Sequence, residues 1–365
     1  MIKGVMTELN QGIDRALMWF TGGLQGGWGA SFLRIILGVT LLAQLLVNFP
    51  FRSYLWGPAS AWGQELTPNS QFPFQRSLFG PTSDLPVMTA AYVVLCTAAA
   101  CFLLGWHTRI ATAVVLVLHT LMTFSDGVYM DQSDNFLRFA LIYSLFMRTW
   151  ARWSLDARRL AKISTDSQSP AHRLRNRIEP YVAIVHNAAL TAFGAHICMI
   201  YVASAMFKIQ GEKWQHGTAV FYPLQIPHFA PFPALSDLAT AHGFSVAVAS
   251  YAAVYFQLFF PFMLLNKWLR KVALLGIAGM HLGIAVLMGL PFFSFFMLAG
   301  DSIFVSSKTY QQVDRWVRER FGRRLGKRSK GHADLGDQEL RDDTPALAQE
   351  HEPNPEHQRP LGVRK

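Results

Sequence analysis

Charged residues are scarce in this sequence. Asp, Glu, Lys and Arg make up 15% of its 365 residues, whereas a soluble domain carries about 25%. Hydrophobic residues make up 51%. Cysteine is rarer still: Cys96, Cys101 and Cys198 lie inside apolar runs and form no CxxC spacing, which argues against a disulfide scaffold. This composition is typical of a polytopic membrane protein and argues against a disordered chain and most soluble enzymes.

Several familiar motifs are also missing. The histidines form no HxxxH or HExxH spacing, so we expect no metal site. The net charge of +10 does not indicate nucleic acid, because basic residues of membrane proteins collect in cytoplasmic loops and tails. Residues 1–20 do not resemble a cleavable signal peptide, since Glu8 and Asp14 interrupt them.

Apolar runs predict eight transmembrane helices. A membrane helix needs roughly 20 apolar residues, and fewer inside a bundle. The last run is interrupted by Gly289, Leu290 and Pro291, so its length suits two short helices. The predicted fold class is therefore an all-α polytopic membrane bundle. Its helices cover residues 31–49, 86–106, 110–124, 135–147, 181–207, 244–265 and the two parts of 272–305.

The loop charges favour eight spans over seven. The loop 148–180 and the tail 315–330 each hold eight Lys or Arg residues, and the link 267–271 holds three. The loop 125–134 instead holds three Asp residues and no base. Because basic loops collect in the cytoplasm, eight spans with both termini cytoplasmic fit this pattern, whereas seven would send the basic tail outward.

These patterns divide the chain into three regions. Residues 1–30 form an N-terminal amphipathic segment suited to the membrane interface. Residues 31–305 form the transmembrane domain, and residues 306–365 form a basic and then low-complexity cytoplasmic tail that we expect to be largely disordered. The loops 50–85 and 208–243 are rich in aromatic residues and proline, which predicts an aromatic cap on the outer side of the bundle.

Ionisable side chains inside the predicted spans are candidate site residues, because they are costly in lipid. Arg34 and Arg109 lie close to span ends, where snorkelling to the interface is the favoured explanation. Arg138 lies one helical turn after Asp134. The segment DQSDNFLR either closes a helix start with an Asp134–Arg138 ion pair or lines an outward-facing polar pocket with Asp134, Asn135 and Arg138.

Lys208 is the main candidate for chemistry. It ends an apolar span at the predicted outer boundary, where the common role of a lysine is that of a snorkelling anchor. A lysine withdrawn from water favours its neutral amine, which is a usable base. The segment after it holds Trp214 and His216 in an aromatic, polar stretch, and a lid over a site is the alternative to a plain loop.

His281 lies midway along an apolar run. Hydrogen bonding to a neighbouring helix and a functional role are equally favoured explanations for it. In the functional reading, His281 lies near Lys208 and stabilises a developing oxyanion or shuttles protons. For His119, His186 and His196, the favoured explanation is a place in the core with hydrogen-bond partners.

Four blocks of sequence, taken in order, resemble a known family. They are DQSDNFLRFALIYSLF followed by WSLDARR, IYVASAMFKIQGEKWQHGTA, FQLFFPFMLLNKWLRK and GMHLGIAVLMGLPFFSFFMLA. The family is the HTTM (horizontally transferred transmembrane) domain, which is shared with vitamin K-dependent γ-glutamyl carboxylases. The resemblance covers residues 31 to about 305 and implies a helical membrane domain.

The resemblance also implies a reaction. The segment from Tyr201 to Lys208 is similar to a family run, YxxxGxxK, with Ala205 at the glycine position, so Lys208 would correspond to the essential base. His281 matches a histidine of the family. In the carboxylases the base deprotonates a reduced quinone, which reacts with dioxygen and ends as an epoxide, and a second substrate captures carbon dioxide. The implied cofactor is therefore vitamin K hydroquinone or menaquinol.

The chain departs from the carboxylases in two places. Ala151 stands where they have a histidine two positions before the tryptophan of the WSxD motif, which here is Trp153, Ser154 and Asp156. About 60 residues follow the last predicted span, where the animal enzymes continue into a large lumenal region. The WSxD motif falls on the predicted cytoplasmic side, which favours a structural role. These departures argue against carboxylation of a protein and leave quinol-linked oxygenation or a different substrate altogether.

Three functions are open at this point. The first is quinol-linked oxygenation, epoxidation or carboxylase-like chemistry with Lys208 as base. The second is an accessory membrane protein for maturation or export of a peptide toxin, similar to the sporulation-delaying-protein B component, or a transporter. The third is a structural protein whose basic tail binds anionic lipid. The expected partners are membrane lipid, a quinol and a peptide or small molecule, and the expected location is a bacterial cytoplasmic (inner) membrane.

Overall fold

The chain folds into helices joined by loops. The structure is a computed structural model that describes residues 11–65 except 13 and 16, and residues 78–125, 130–163 and 170–320. No strand occurs in these ranges, which confirms the all-α fold class. Short helices occupy several connections, at Phe49–Phe51, Arg52–Trp56, Pro58–Glu65, Glu212–Gln215, Phe221–Leu224, Pro227–Phe229 and Ser302–Phe304. The longer helices are α1 (Gly27–Asn48), α2 (Leu85–Leu104), α3 (Thr108–Phe124), α4 (Gln132–Phe146), α5 (Leu155–Ile163), α6 (Pro170–Ile209), α7 (Pro233–Thr240), α8 (Gly243–Met263), α9 (Lys267–Leu287) and α10 (Pro291–Asp301).

Five helices of the described chain are long and apolar enough to cross a membrane. Helices α3 and α10 are apolar but shorter, and α4, which carries Asp134 and Arg138, is 15 residues long. Each segment predicted as a span is helical, but the number of helices that cross the membrane stays a prediction. The five candidates are Gly27–Trp56, Leu85–Leu104, Asn176–Ile209, Gly243–Met263 and Lys267–Leu287.

The bundle is packed around α10. This short helix contacts α1, α4 and α9, and most of its residues are buried. Other helices pack in pairs, including α1 with α2, α2 with α3, α6 with α8 and α8 with α9. Small residues permit this close approach. A Cβ added to Gly300 would lie 2.4 Å from the Phe136 ring, and one added to Gly38 would lie 2.8 Å from the Leu103 backbone.

Two predicted helix boundaries can be compared with the structure. The break at Gly289 is confirmed, because α9 ends at Leu287, Gly289 adopts a φ of +67°, and α10 begins at Pro291. The helix predicted over 181–207 is longer, since α6 begins at Pro170 and continues through Pro180. Its first part is rich in arginine, which has a high helix propensity, so the basic segment extends the helix.

Arg34 ties three segments of the backbone together. Its side chain is fully buried, and its guanidinium donates hydrogen bonds to the carbonyls of Phe102, Leu103, Thr149 and Trp153. Two of these carbonyls belong to the last turn of α2, where C=O groups lack helical partners. The snorkelling expected for Arg34 is therefore wrong: the residue stabilises the fold from inside the protein.

Asp156 caps the N-terminus of α3. Its Oδ1 accepts the backbone N–H of His107 at 3.0 Å, and its Oδ2 accepts the backbone N–H and the hydroxyl of Thr108 at 2.8 and 2.7 Å. Burial would raise the pKa of this carboxyl, but these hydrogen bonds outweigh burial and hold the pKa below its ordinary value. The contacts agree with a structural role for the WSxD motif.

Replacing Asp156 with alanine is expected to lower the free energy of unfolding by about 1–2 kcal/mol at pH 7, because α3 loses its capping side chain. The pKa of Asp156 in the folded protein lies below the ordinary value of 3.8, so its contribution is complete above that value and is lost as the pH falls below it. Unfolding of wild type and variant in detergent, at pH 7 and at about pH 3, measures this difference. An equal difference at both pH values would contradict the capping role.

The two ends of the chain are described only in part. Between 11 and 21 the described residues are helical and expose Leu17, Met18 and Trp19. Residues 307–320 are also helical, and those from 311 onward belong to a second compact unit. The remaining residues of the tail, 321–365, lie outside the described ranges.

Candidate functional site

Lys208 lies in the last turn of α6, and its amine is held by two neutral oxygens. The Nζ atom donates hydrogen bonds to Ser204 Oγ at 2.6 Å and to Gln257 Oε1 of α8 at 2.8 Å. The side chain is half-buried, and Nζ lies 5.4 Å from the centroid of the Trp214 ring. The amine therefore lies between two helices and a ring of the following segment.

The Lys208 amine has no acidic partner. Within the described part of the chain, no Asp or Glu oxygen lies within 4.0 Å of Nζ. A snorkelling anchor directs its charge to water or headgroups, whereas this amine points to the side chains of Ser204 and Gln257. The geometry is that of a positioned amine and not of one half of an ion pair.

A second group of polar side chains lies deeper in the bundle. The hydroxyl of Tyr201 donates to the carboxylate of Asp301, with distances of 2.9 and 2.8 Å to its two oxygens. His281 Nε2 lies 3.4 Å from the same hydroxyl. All three side chains are buried, and His281 Nδ1 has no hydrogen-bond partner. Because an ionisable group is costly in such surroundings, this cluster is a candidate functional feature.

The two groups share one face of α6. Tyr201, Ser204 and Lys208 are spaced three and four residues apart, so their side chains lie one above the other along the helix. The cluster of Tyr201, His281 and Asp301 draws on α6, α9 and α10. A line of hydrogen-bonding groups therefore runs along α6 from its last turn toward the bundle interior.

Sequence reasoning missed two residues of this arrangement. Asp301 lies inside the last predicted apolar run, 272–305, and an intramembrane carboxyl is by itself a signal for a site. Gln257 is uncharged, and its sequence position carries no comparable signal. Its role appears only when α8 packs against α6.

The structure brings some predicted site residues together and leaves others apart. Trp214 lies beside Lys208, and Tyr201 lies beside His281. The side chain of His216 is exposed, and none of the side-chain contacts of Lys208 or His281 involves it. The segment after α6 thus contributes Trp214 to the site.

Asp134, Asn135 and Arg138 form a separate polar cluster with α3. Asp134 Oδ1 lies 3.5 Å from His119 Nε2. Arg138 donates to Asn135 Oδ1 at 3.0 Å and stacks over the Phe124 ring at 4.1 Å. The alternative of an Asp134–Arg138 ion pair is therefore wrong, because each of the two side chains has found a different partner.

The start of α4 is closed by a capping box and borders a small cavity. The carboxylate of Asp131 accepts the backbone N–H of Asp134, and the carboxylate of Asp134 accepts the backbone N–H of Asp131. A closed cavity of about 30 Å³ beside them is lined in part by Gln44, His119 and Thr123. This space is large enough for a water molecule, so a polar pocket is present but is too small for a quinone ring.

The other histidines differ in whether their ring nitrogens have hydrogen-bond partners. His186 accepts the backbone N–H of Arg148 at 2.8 Å on Nδ1, and its Nε2 lies 2.7 Å from the Gln25 carbonyl. His196 Nδ1 lies 3.3 Å from the Tyr143 hydroxyl. His186 and His196 therefore have the partners expected of core residues, whereas His119 Nδ1 has none.

An apolar groove lies between α6 and α8, the helices that carry Lys208 and Gln257. Its volume is about 590 Å³. The groove is lined by His196, Cys198, Met199, Val202, Ala203 and Pro261, among others. It provides space for an apolar chain along the same pair of helices.

The fold and the site define an integral membrane protein, a helical bundle with polar groups buried between its helices. The HTTM domain model matches residues 30–308, so the chain belongs to the HTTM domain family. No curated protein and no solved structure matches the chain. The family match confirms the resemblance carried by the four sequence blocks.

Proposed function

We propose that this HTTM protein is a membrane enzyme that acts on a reduced quinone, with Lys208 as its base. The observation that carries the proposal is the Lys208 amine, which is half-buried and held by the neutral oxygens of Ser204 and Gln257. An amine in this position can take a proton and release it again, because no carboxylate contacts it to retain the ammonium form.

The residues around Lys208 suit a quinol. A quinol has a ring with two hydroxyl groups and, in its natural forms, a long apolar tail. Lys208 and Gln257 offer hydrogen-bonding groups to a ring hydroxyl, and Trp214 offers an aromatic face. The groove between α6 and α8 offers apolar lining for the tail. Head and tail would then follow the same helix pair.

The bound quinol would supply four electrons to dioxygen, two when the hydroquinone becomes a quinone and two when the ring double bond becomes an epoxide, so that quinol and dioxygen give a quinone epoxide and water. Lys208 would take the proton from the ring hydroxyl, and Ser204 and Gln257 would hold its lone pair toward that hydroxyl. Tyr201, His281 and Asp301 would carry protons from the ring toward the interior, since their polar atoms are already linked. Carboxylase-like transfer of carbon dioxide to a second substrate would depend on the same base, Lys208.

The proposed orientation has the basic loops in the cytoplasm of a bacterium and Lys208 toward the outer side. The loop 148–180 holds eight basic residues, and such loops stay on the cytoplasmic side. A substrate that reaches Lys208 would then arrive from the outer leaflet or from outside the cell. This favours a lipid-soluble quinol and, for a carboxylase-like step, a secreted peptide.

Quinol-dependent oxygen consumption tests the proposal. The protein in nanodiscs receives a reduced menaquinone analogue, and an oxygen electrode records the rate. We expect uptake that requires both protein and quinol and that persists in Lys213→Ala, which removes an exposed lysine of the neighbouring one-turn helix. No uptake by folded protein that binds the quinol would overturn the proposal and favour a role in peptide maturation or transport.

A further inference from the structure

A basic groove lies where α2 turns into α3, beside α5. Its volume is about 330 Å³, and its lining includes His107, Arg109, Ile110, Trp150, Arg159 and Leu160. His107 and Arg109 belong to the WHTR turn and Arg159 ends the WSLDARR block, and the site around Lys208 uses none of the lining residues. The groove therefore needs an explanation of its own.

The two guanidinium groups of the groove form no direct ion pair within the described part of the chain. The Arg109 guanidinium stacks over the Trp150 ring at 4.8 Å, and Arg159 Nη1 lies 3.0 Å from His107 Nε2. Within the described ranges, no carboxylate lies within 4.0 Å of either guanidinium. The acid in the lining, Asp156, is occupied as the cap of α3.

The groove also has an apolar side. Ile110 is 65% exposed, and Trp106 and Leu104 next to the groove are 48% and 55% exposed. Exposed apolar and aromatic residues at the end of membrane helices face acyl chains and the headgroup boundary. A soluble phosphate would contact the two guanidinium groups and leave the apolar side uncovered. A phospholipid would contact the guanidinium groups with its phosphate and the apolar side with an acyl chain.

We propose that this groove binds an anionic phospholipid. The phosphate pairs with Arg109 and Arg159, whose forked donors match phosphate oxygens. The glycerol backbone lies against Trp150, and an acyl chain continues over Ile110. Because Asp156 and Trp150 belong to the segment that holds α3 in place, the bound lipid would also stabilise this end of the bundle.

Native mass spectrometry tests the site. Purified protein in detergent is titrated with dioleoyl-phosphatidylglycerol, and the same titration with dioleoyl-phosphatidylcholine measures the zwitterionic background. We expect Arg109→Gln/Arg159→Gln to weaken phosphatidylglycerol binding by about 30-fold, since each basic residue near an anionic headgroup contributes about 1 kcal/mol. Each single variant should show about a 5-fold loss.

The matched control is Arg158→Gln, which removes the same charge from an exposed neighbour on α5 outside the groove lining. It should leave the phosphatidylglycerol affinity within about 2-fold of wild type, since a charge outside the groove lies in screened solvent. Equal loss in the control and the double variant would overturn the site, as would equal binding of the two lipids by wild type. Glycerol phosphate that displaces phosphatidylglycerol at equal concentration would overturn the choice of a lipid.

Discussion

Replacing Lys208 with alanine is expected to lower quinol-dependent oxygen consumption by about 10²–10⁴-fold, the range that a positioned general base contributes. The variant removes the amine and leaves its two acceptors, Ser204 and Gln257, in place. Because the side chain lies in the last turn of α6 and pairs with no charge, we expect the variant to fold and to bind the quinol. The measurement is the oxygen-uptake rate in nanodiscs at saturating quinol.

The variant Lys208→Arg distinguishes two roles of Lys208, that of a base and that of a fixed positive charge. Arginine keeps the charge and the donors, but it does not lose its proton in proteins. If Lys208 acts as the base, Lys208→Arg stays as inactive as Lys208→Ala. If Lys208 serves only to attract an anion, Lys208→Arg recovers most of the activity. Recovery by arginine, or an alanine variant with near wild-type rate, would contradict the assignment of the base.

Replacing Arg34 with alanine is expected to lower the free energy of unfolding by about 3–5 kcal/mol, because four backbone carbonyls lose a charged donor and some stay buried without a partner. A loss of this size is a large part of the stability of a typical domain. The yield of folded protein in detergent and its unfolding curve measure the effect.

Arg34→Lys and Arg152→Ala are the controls for this variant. Lysine keeps the charge but cannot reach all four carbonyls with a planar fork, so an intermediate loss is expected. Arg152 is exposed and stacks over the Trp28 ring in the same region, so its removal should cost about 0.5 kcal/mol or less. An Arg34→Ala variant as stable as Arg152→Ala would contradict the central role of the buried guanidinium.

Much of the fold could be predicted from the sequence because membrane helices have a strong and local signal. The apolar runs, the break at Gly289 and each of the family blocks can be recognised within a short stretch of sequence. The start of α6 was harder to predict, since the segment 170–180 is basic and contains Pro180, and both features also suit a loop. Its helical state depends on continuity with the apolar part that follows.

The site could be predicted only in part. Lys208, Tyr201 and His281 were visible in the sequence as polar groups in apolar surroundings, and the structure places Tyr201 in contact with His281. The acceptor Gln257 lies 49 positions away from Lys208, and no local pattern links them. The partners of Arg34 are backbone carbonyls, which every residue carries, so the sequence does not identify them. The packing of separate helices determines the partners of both Lys208 and Arg34.

Isotope transfer from dioxygen is the most direct measurement of the central claim, that Lys208 is the base of a quinol oxygenase. Wild-type protein and Lys208→Ala in nanodiscs receive a reduced menaquinone analogue under ¹⁸O-labelled dioxygen, and mass spectrometry analyses the quinone products. We expect labelled quinone epoxide from wild type and none above background from Lys208→Ala. Unlabelled quinone as the sole product of folded, quinol-binding wild type, or equal labelled epoxide from both proteins, would contradict the claim.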